Sequence, residues 1–146
     1  MEKIKNKHFK LEPFQFTPML GNRFYVLLAD ELKIESTSIS AIDLPKCTVI
    51  DNQLSWSPVK IKLFDSENDP IVAGRIMGWL KNRNKIARQI KILQIAFDGE
   101  ELIEYELQDC QITHVDFGEC SYDSSDIQYI TLTITPKDCN IKILKK

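Results

Sequence analysis

Asp98-Gly99 is the pair of residues that most constrains what this chain can become. A two-residue hairpin loop of type I′ needs positive φ at both central positions, and Asp followed by Gly tolerates that. The sequence alternates on both sides of the pair. Before it, Leu93, Ile95 and Phe97 fall on one face and Ile92 and Ala96 on the other; after it, Ile103, Tyr105 and Leu107 are predicted inward and Glu104 and Glu106 outward. A period of two marks a strand with one buried and one wet face. An antiparallel hairpin from about Gln89 to Gln108 follows.

Other segments read in the same way. "NRFYVLLA", Asn22 to Ala29, is a short run with apolar residues on both faces, which implies a strand covered on both sides. Ile39 and Ile42 precede a stop at Pro45, and "CTVIDNQLSWS" reads as a loop or irregular hairpin ending at Trp56. In "SPVKIKLF", Val59, Ile61 and Leu63 alternate with Lys60 and Lys62, a half-buried strand. "DSENDP" then supplies a helix start, with Asp69 as N-cap and Pro70 at the first helical position. Ala73, Ile76, Met77 and Leu80 follow at helical spacing in one amphipathic helix that ends near Asn82. Gly74 and Gly78 lie four apart on it, either as weak spots held by tertiary packing or as a smooth ridge for a neighbour. Two more strands are expected around Cys110 to Phe117 and Ile127 to Thr135, the second alternating Ile130, Leu132 and Ile134 with Tyr129, Thr131 and Thr133. The sum is mostly β (α+β), an antiparallel β-barrel-like domain with one helix. Residues 1–18, with Pro13 and Pro18 and no clean period, read as an extended N-terminal arm ahead of a β domain over 19–146.

Composition removes several functional classes. With 19 basic and 21 acidic side chains the formal charge is -2, which leaves no basic footprint for gripping phosphates, so tight nucleic-acid binding is not expected. Phe14, Phe16, Phe24 and Tyr25 therefore read as core or contact residues and not as a base-stacking platform. No apolar run approaches the roughly 20 residues that cross a bilayer, and the basic Met1 to Lys10 segment has no apolar stretch behind it. A soluble product that stays in the compartment where it is made is expected, with no membrane partner. Cys47, Cys110, Cys120 and Cys139 are scattered and form no CxxC pair, so reduced, partly buried thiols are expected.

The stretch "ITHVDFGECSYDSSDIQYITLTI", Ile112 to Ile134, gathers a His, two Cys and several carboxylates. A small metal- or thiol-dependent enzyme would be built on Cys110, His114, Asp116 and Cys120. Strand parity puts His114 and Asp116 on one face and Thr113, Val115 and Phe117 on the other, with no nucleophile elbow, oxyanion loop or phosphate-cradling glycine loop nearby. Cys110, His114 and Cys120 are suitable zinc ligands but lack the paired spacing of structural zinc sites and a fourth ligand. Tyr122 to Asp126 is a polar connection whose short side chains bond their own backbone. No catalytic, cofactor or metal residue is assigned. Unpaired sheet edges, which must be shielded or used to join other chains, point instead toward assembly.

The order of motifs resembles a known family. "PMLGNRFYV", "AIDLP", "LSWSPVKIKLFDSENDP" leading to "GWLKN", and then "FDGEELIEYELQDCQITHVDFGECSYDSSDIQYITLTI" are similar, over roughly Pro18 to Ile134, to tail tube proteins of contractile-tailed bacteriophages. The resemblance implies a β-barrel-like subunit with a flanking helix that closes into six-fold rings. The rings stack into a hollow tube inside a contractile sheath, a fold shared with type VI secretion and other injection-system tubes. It implies no enzymatic activity and no cofactor. The implied partners are further copies of the chain, the tail sheath protein, baseplate and tail-terminator proteins, and viral DNA passing without tight binding. The implied location is the virion tail, after synthesis in the host bacterial cytoplasm. A baseplate or tube-initiating protein, or an injection-system tube, is the alternative of the same fold. Pro45 to Trp56 would then reach toward the adjacent ring. Pro45, Leu54, Trp56, Phe24 and Tyr25 are the inter-subunit contact candidates, and Glu104 and Glu106 the lumen or wall acids.

Overall fold

The computed structural model describes residues 18–28, 33–81 and 86–145. Among the described residues nine strands and one α-helix follow in the order β1 (Phe24–Leu27), β2 (Ile39–Ile42), β3 (Cys47–Ile50), β4 (Gln53–Trp56), β5 (Val59–Leu63), α1 (Val72–Lys81), β6 (Ile86–Ile95), β7 (Glu101–Asp116), β8 (Ile130–Thr135) and β9 (Asp138–Ile143). A 3-10 turn at Ser36–Ser38 precedes β2. All the pairings are antiparallel. One sheet runs β1-β6-β7-β8-β5-β2, with β9 added to β7, and β3-β4 forms a separate two-stranded ribbon. The two outer strands approach one another, since the Val26 amide donates to Ser36 Oγ at 3.1 Å just before β2 begins. This mostly β, antiparallel architecture with one flanking helix is the one expected from the sequence.

A hairpin is present at Asp98-Gly99, but its loop is not the two-residue type I′ turn expected: of the pair only Gly99 has positive φ, and the loop between Ile95 and Glu101 is closed by the Ala96 amide to Glu100 O (2.8 Å) and the Gly99 amide to Ala96 O (2.9 Å). β6 and β7 pair from Ile90↔Leu107 to Gln94↔Ile103, with an irregularity at Ile95, and Gly99 has φ 91°. The return strand does not stop near Gln108, because β7 continues as one strand to Asp116. Its first half pairs with β9 (Leu107↔Cys139) and its second with β8 (Ile112↔Ile134), while β6 flanks it from Glu101 to Gln111. The strand changes phase on the way. Leu107 and Cys110 are three apart and both fully buried, with Asp109 between them at φ 49°. A second shift falls between Ile112 and His114. Such irregularities re-aim side chains within a strand.

β5 buries Val59, Ile61 and Leu63 and exposes the intervening lysines; β8 buries Ile130, Leu132 and Ile134. These residues meet Val26, Ile90, Ile92 and Leu107 and the helix residues Val72, Ile76 and Trp79 in one core. At about 25 cal/mol per Å² of apolar surface removed from water, burial of this kind is the main stabilising term.

Three local expectations are corrected. The helix begins at Val72 and is capped by Asp65, not Asp69: the Asp65 carboxylate accepts from the Val72 amide at 2.6 Å and the Ala73 amide at 3.2 Å. Asp69 instead closes the loop, where its amide donates to Ser66 O at 3.1 Å. Met77, placed in the helix stripe by spacing, is only half-buried, whereas Val72 and Trp79 are buried. β1 is not covered on both sides: Val26 is buried and Leu27 is exposed. The predicted ends of that strand at Ala29 and of the helix at Asn82 lie outside the described residues, as does nearly all of the N-terminal arm.

Candidate assembly interface

The segment predicted as a loop or irregular hairpin is a regular one. Cys47↔Trp56, Thr48↔Ser55, Val49↔Leu54 and Ile50↔Gln53 pair around Asp51 and Asn52, whose φ values of 50° and 64° give the two positive-φ positions of a tight hairpin loop. Its base is tied down by the Ser57 amide to Lys46 O (2.9 Å), the Asp43 amide to Lys60 O (3.0 Å) and the Lys60 amide to Asp43 Oδ2 (3.2 Å). Strand alternation puts Cys47, Val49, Leu54 and Trp56 on one face. At the base Trp56 packs against the core, and Pro45 nearby is half-buried. Further out Val49 (64%) and Leu54 (59%) are exposed, and Ile50 lies exposed on the opposite face. An apolar stripe thus runs from the core onto a projecting ribbon, and the ribbon forms no part of the main sheet. Sequence reasoning named Leu54 and Trp56 but missed Val49 and Ile50. The signal was available in the apolar residues placed symmetrically about Asp51-Asn52.

The other candidates are engaged within the chain. Phe24 is partly buried against the core. The Tyr25 hydroxyl donates to the Glu101 carboxylate, which pushes the phenol pKa above its ordinary value. Glu104 and Glu106 lie on the sheet face opposite the core, as alternation requires, and are largely covered there by neighbouring side chains. Glu106 is only 6% exposed. Gln89 and Gln108 donate to its two oxygens, the latter at 2.9 Å, and Lys142 Nζ lies 3.6 Å away. The Gln108 hydrogen bond, aided by Lys142, Asn140 and Lys91, lowers its pKa against the opposing effect of burial. Glu104 pairs with Lys142 at 3.6 Å and Lys91 at 4.0 Å. Long side chains from β6 and β9 cover these carboxylates and balance their charge.

The groups considered for chemistry do not converge. Cys110 is fully buried in the core, with its thiol pushed up to about 12, chiefly by burial. His114 and Cys120 are exposed. Asp116 Oδ1 accepts from the Gly118 amide at 2.9 Å and so serves the turn. Among the described residues no group of three His, Cys, Asp or Glu side chains is placed to hold a metal, and no helix is long and apolar enough to cross a membrane. The 112–134 stretch is a framework. Gly118 has φ 90° and leaves no room for a Cβ, which would meet Tyr129 O at 2.6 Å, and Gln128 Nε2 donates to Phe117 O at 3.0 Å. Gly74 and Gly78 are exposed on α1, and beyond their chain neighbours and their own helix backbone no described residue comes within 4 Å of where a Cβ would stand.

No protein-family model matches the sequence, and no curated protein matches it. Solved structures do match the fold. The PVC sheath-tube complex of an extracellular contractile injection system, in its extended state, contains a chain similar at TM-score 0.69 and 13% identity, over 92% of this chain and 100% of that one. A chain in the tube-terminating cap of the anti-feeding prophage is similar at TM-score 0.66 and 14% identity, over 88% and 93%. Hcp1 from Salmonella typhimurium is similar at TM-score 0.54 and 10% identity, over 84% and 85%. The fold is that of tube proteins of contractile injection systems.

Proposed function

We propose that the protein is a non-enzymatic structural subunit of the tube of a contractile assembly, closing into six-fold rings that stack into a conduit. The observation that carries this reading is the likeness in fold to sheath-tube and tube-terminator structures along nearly the full length of both chains. The projecting ribbon supports it, because exposed apolar surface continuous with a core is the kind of surface that a second copy covers. Val49, Leu54 and the base around Pro45 and Trp56 are the stacking contacts in this reading. Glu104 and Glu106, balanced by Lys91 and Lys142, supply a wall with no net basic charge, along which a polyanion slides without being held.

In its finer form the tube belongs to a bacteriophage tail, works with sheath, baseplate and tail-terminator proteins, and passes viral DNA during ejection. The second reading is an injection-system tube, terminator or baseplate protein. It is favoured by the similar structures, which include parts of the anti-feeding prophage and of an extracellular injection system.

Negative-stain electron microscopy of the purified protein tests the shared core of both readings. Rings or hollow tubes are expected. A monomer that persists at high concentration, alone and with a sheath protein, would overturn it. Isolated native particles separate the two forms: a DNA-filled capsid on the tail marks the phage, and a capsid-free sheathed particle the injection system.

A further inference from the structure

Three of the four thiols gather where the projecting ribbon meets the sheet. Cys47 opens β3 directly opposite Trp56, so both side chains leave the ribbon on one face. Trp56 packs at that face against the buried cluster that contains Cys110 and Cys139. Backbone pairing fixes the approach. The Ser57 amide holds Lys46 O at 2.9 Å, Val59 pairs with Ile134, and only Thr135 to Asp138 separate Ile134 from Cys139. Cys139 in turn pairs with Leu107 and points with it into the core, where Cys110 is the next buried residue of β7. Exposure falls along the file: Cys47 is exposed, Cys139 is 8% exposed and Cys110 is fully buried. The electrostatics agree with this placement. The Cys139 thiol is pushed up to about 11, chiefly by burial and then by Asp138 and Cys47; Cys110 is pushed up to about 12, chiefly by burial and then by Cys139 and Asp109. Cys120 stands apart, beyond the other end of β7 and beside Gln128.

We propose that Cys47 and Cys139 form a redox site, at which a low-molecular-weight disulfide oxidises the pair to an intrachain disulfide that ties the ribbon base to β9. Exposure sets the order of the steps, because the thiolate is the nucleophile and only Cys47 meets the reagent. The Cys47 thiolate attacks one sulfur of the oxidant; a mixed disulfide forms, the oxidant's own S–S bond breaks, and the first small thiolate leaves with the proton that Cys47 gave up. The Cys139 thiolate then attacks the Cys47 sulfur and expels the second small thiolate, which takes the Cys139 proton. Two protein thiols are oxidised and one small disulfide is reduced to two thiols. The bond matters because the ribbon has no strand partner in the main sheet, and a two-stranded hairpin is marginal without support. The site does not depend on whether the chain forms a tube.

The test uses the full chain, below the concentration at which assembly begins, with oxidised glutathione as the oxidant. Peptide mapping without reduction is expected to find Cys47 joined to Cys139 within one chain, glutathione left on Cys120, and Cys110 untouched. In Cys139→Ser, Cys47 should stop at its glutathione adduct. The bond closes a loop of about 90 residues, so its formation should raise the midpoint of thermal unfolding by about 9–18 °C, and dithiothreitol should reverse the rise. A wild-type Cys47 that stops at the adduct, a bond from Cys139 to Cys110 or between chains, or a midpoint that falls on oxidation would each overturn the site. So would modification of Cys110 as fast as Cys139, which marks reaction through the unfolded chain.

Discussion

Replacing Gly118 with Ala should destabilise the fold by two separable effects. The residue has φ 90°, where an L side chain is strained by about 1–2 kcal/mol. Its new Cβ would stand 2.6 Å from Tyr129 O and 3.2 Å from Gln128 Cγ. Gln128 can swing away, but the carbonyl is backbone at the entry to β8, so relief needs a backbone shift of the kind that costs about 1–3 kcal/mol in overpacked sites. The sum is about 2–5 kcal/mol. At roughly 2–4 °C per kcal/mol for a chain near this size, the midpoint of thermal unfolding should fall by about 4–20 °C. Gly99→Ala is the control, since Gly99 has nearly the same φ, 91°, and nothing within 4 Å of its Cβ position. It should show the first effect alone. Circular dichroism melts below the concentration at which assembly begins would measure both variants. Equal losses in the two would refute the close approach of Gly118 to Tyr129, and with it the account of "VDFG" as a packed strand end.

On the ribbon, Leu54→Asp should abolish ring stacking in electron micrographs with a midpoint shift of under about 2 °C, since Leu54 is 59% exposed. Trp56→Asp should instead lower stability by about 3 kcal/mol or more, because the indole packs against the core. For Glu106 the pKa is depressed below its ordinary value of 4.5, so its contribution is present above that value and lost as pH falls through the folded one. Denaturation curves at successive pH values should show wild type losing more stability below about pH 4 than Glu106→Gln does. Finally, at pH 8 an alkylating reagent should modify Cys47 and Cys120 quickly and spare Cys110 and Cys139, whose buried thiols are pushed up to about 12 and about 11. Mass spectrometry would read two fast sites; a fast reaction at Cys110 would contradict its placement in the core.

What the sequence made readable was carried by period-two alternation. The faces of β5 and β8 follow from Val59, Ile61 and Leu63 and from Ile130, Leu132 and Ile134, and Asp98-Gly99 located the hairpin. Parity from His114 onward also held, with Val115 and Phe117 packed on the core and His114 and Asp116 exposed, whereas Thr113, at the register shift, is exposed and leaves the face expected for it. The failures have a common cause in partners distant along the chain. Asp65 reaches the helix start from seven residues before Val72, across a loop closed by Ser66 and Asp69. Glu106 loses its expected exposure partly to Lys142, on a strand, β9, that the sequence analysis did not predict. The phase change in β7 depends on one backbone angle at Asp109, which a two-residue pattern cannot encode. The assembly candidates divide in the same way: Leu54 lies on the exposed ribbon, whereas Phe24 and Tyr25 are taken up by contacts within the chain.

β7 has a consequence for the birth of the subunit. It is the shared spine on which β6, β8 and β9 all depend, and through β8 it holds β5, whose Val59 pairs with Ile134. No local cluster of strands can close a core before this one is placed, so folding waits on pairings between residues far apart in sequence. Topologies dominated by such pairings fold in milliseconds to seconds. Until then unpaired strand edges are open to neighbouring chains. A cell making many copies at once therefore runs a race between completing β7 and mispairing across chains, and a chaperone holding the nascent C-terminal half would favour completion.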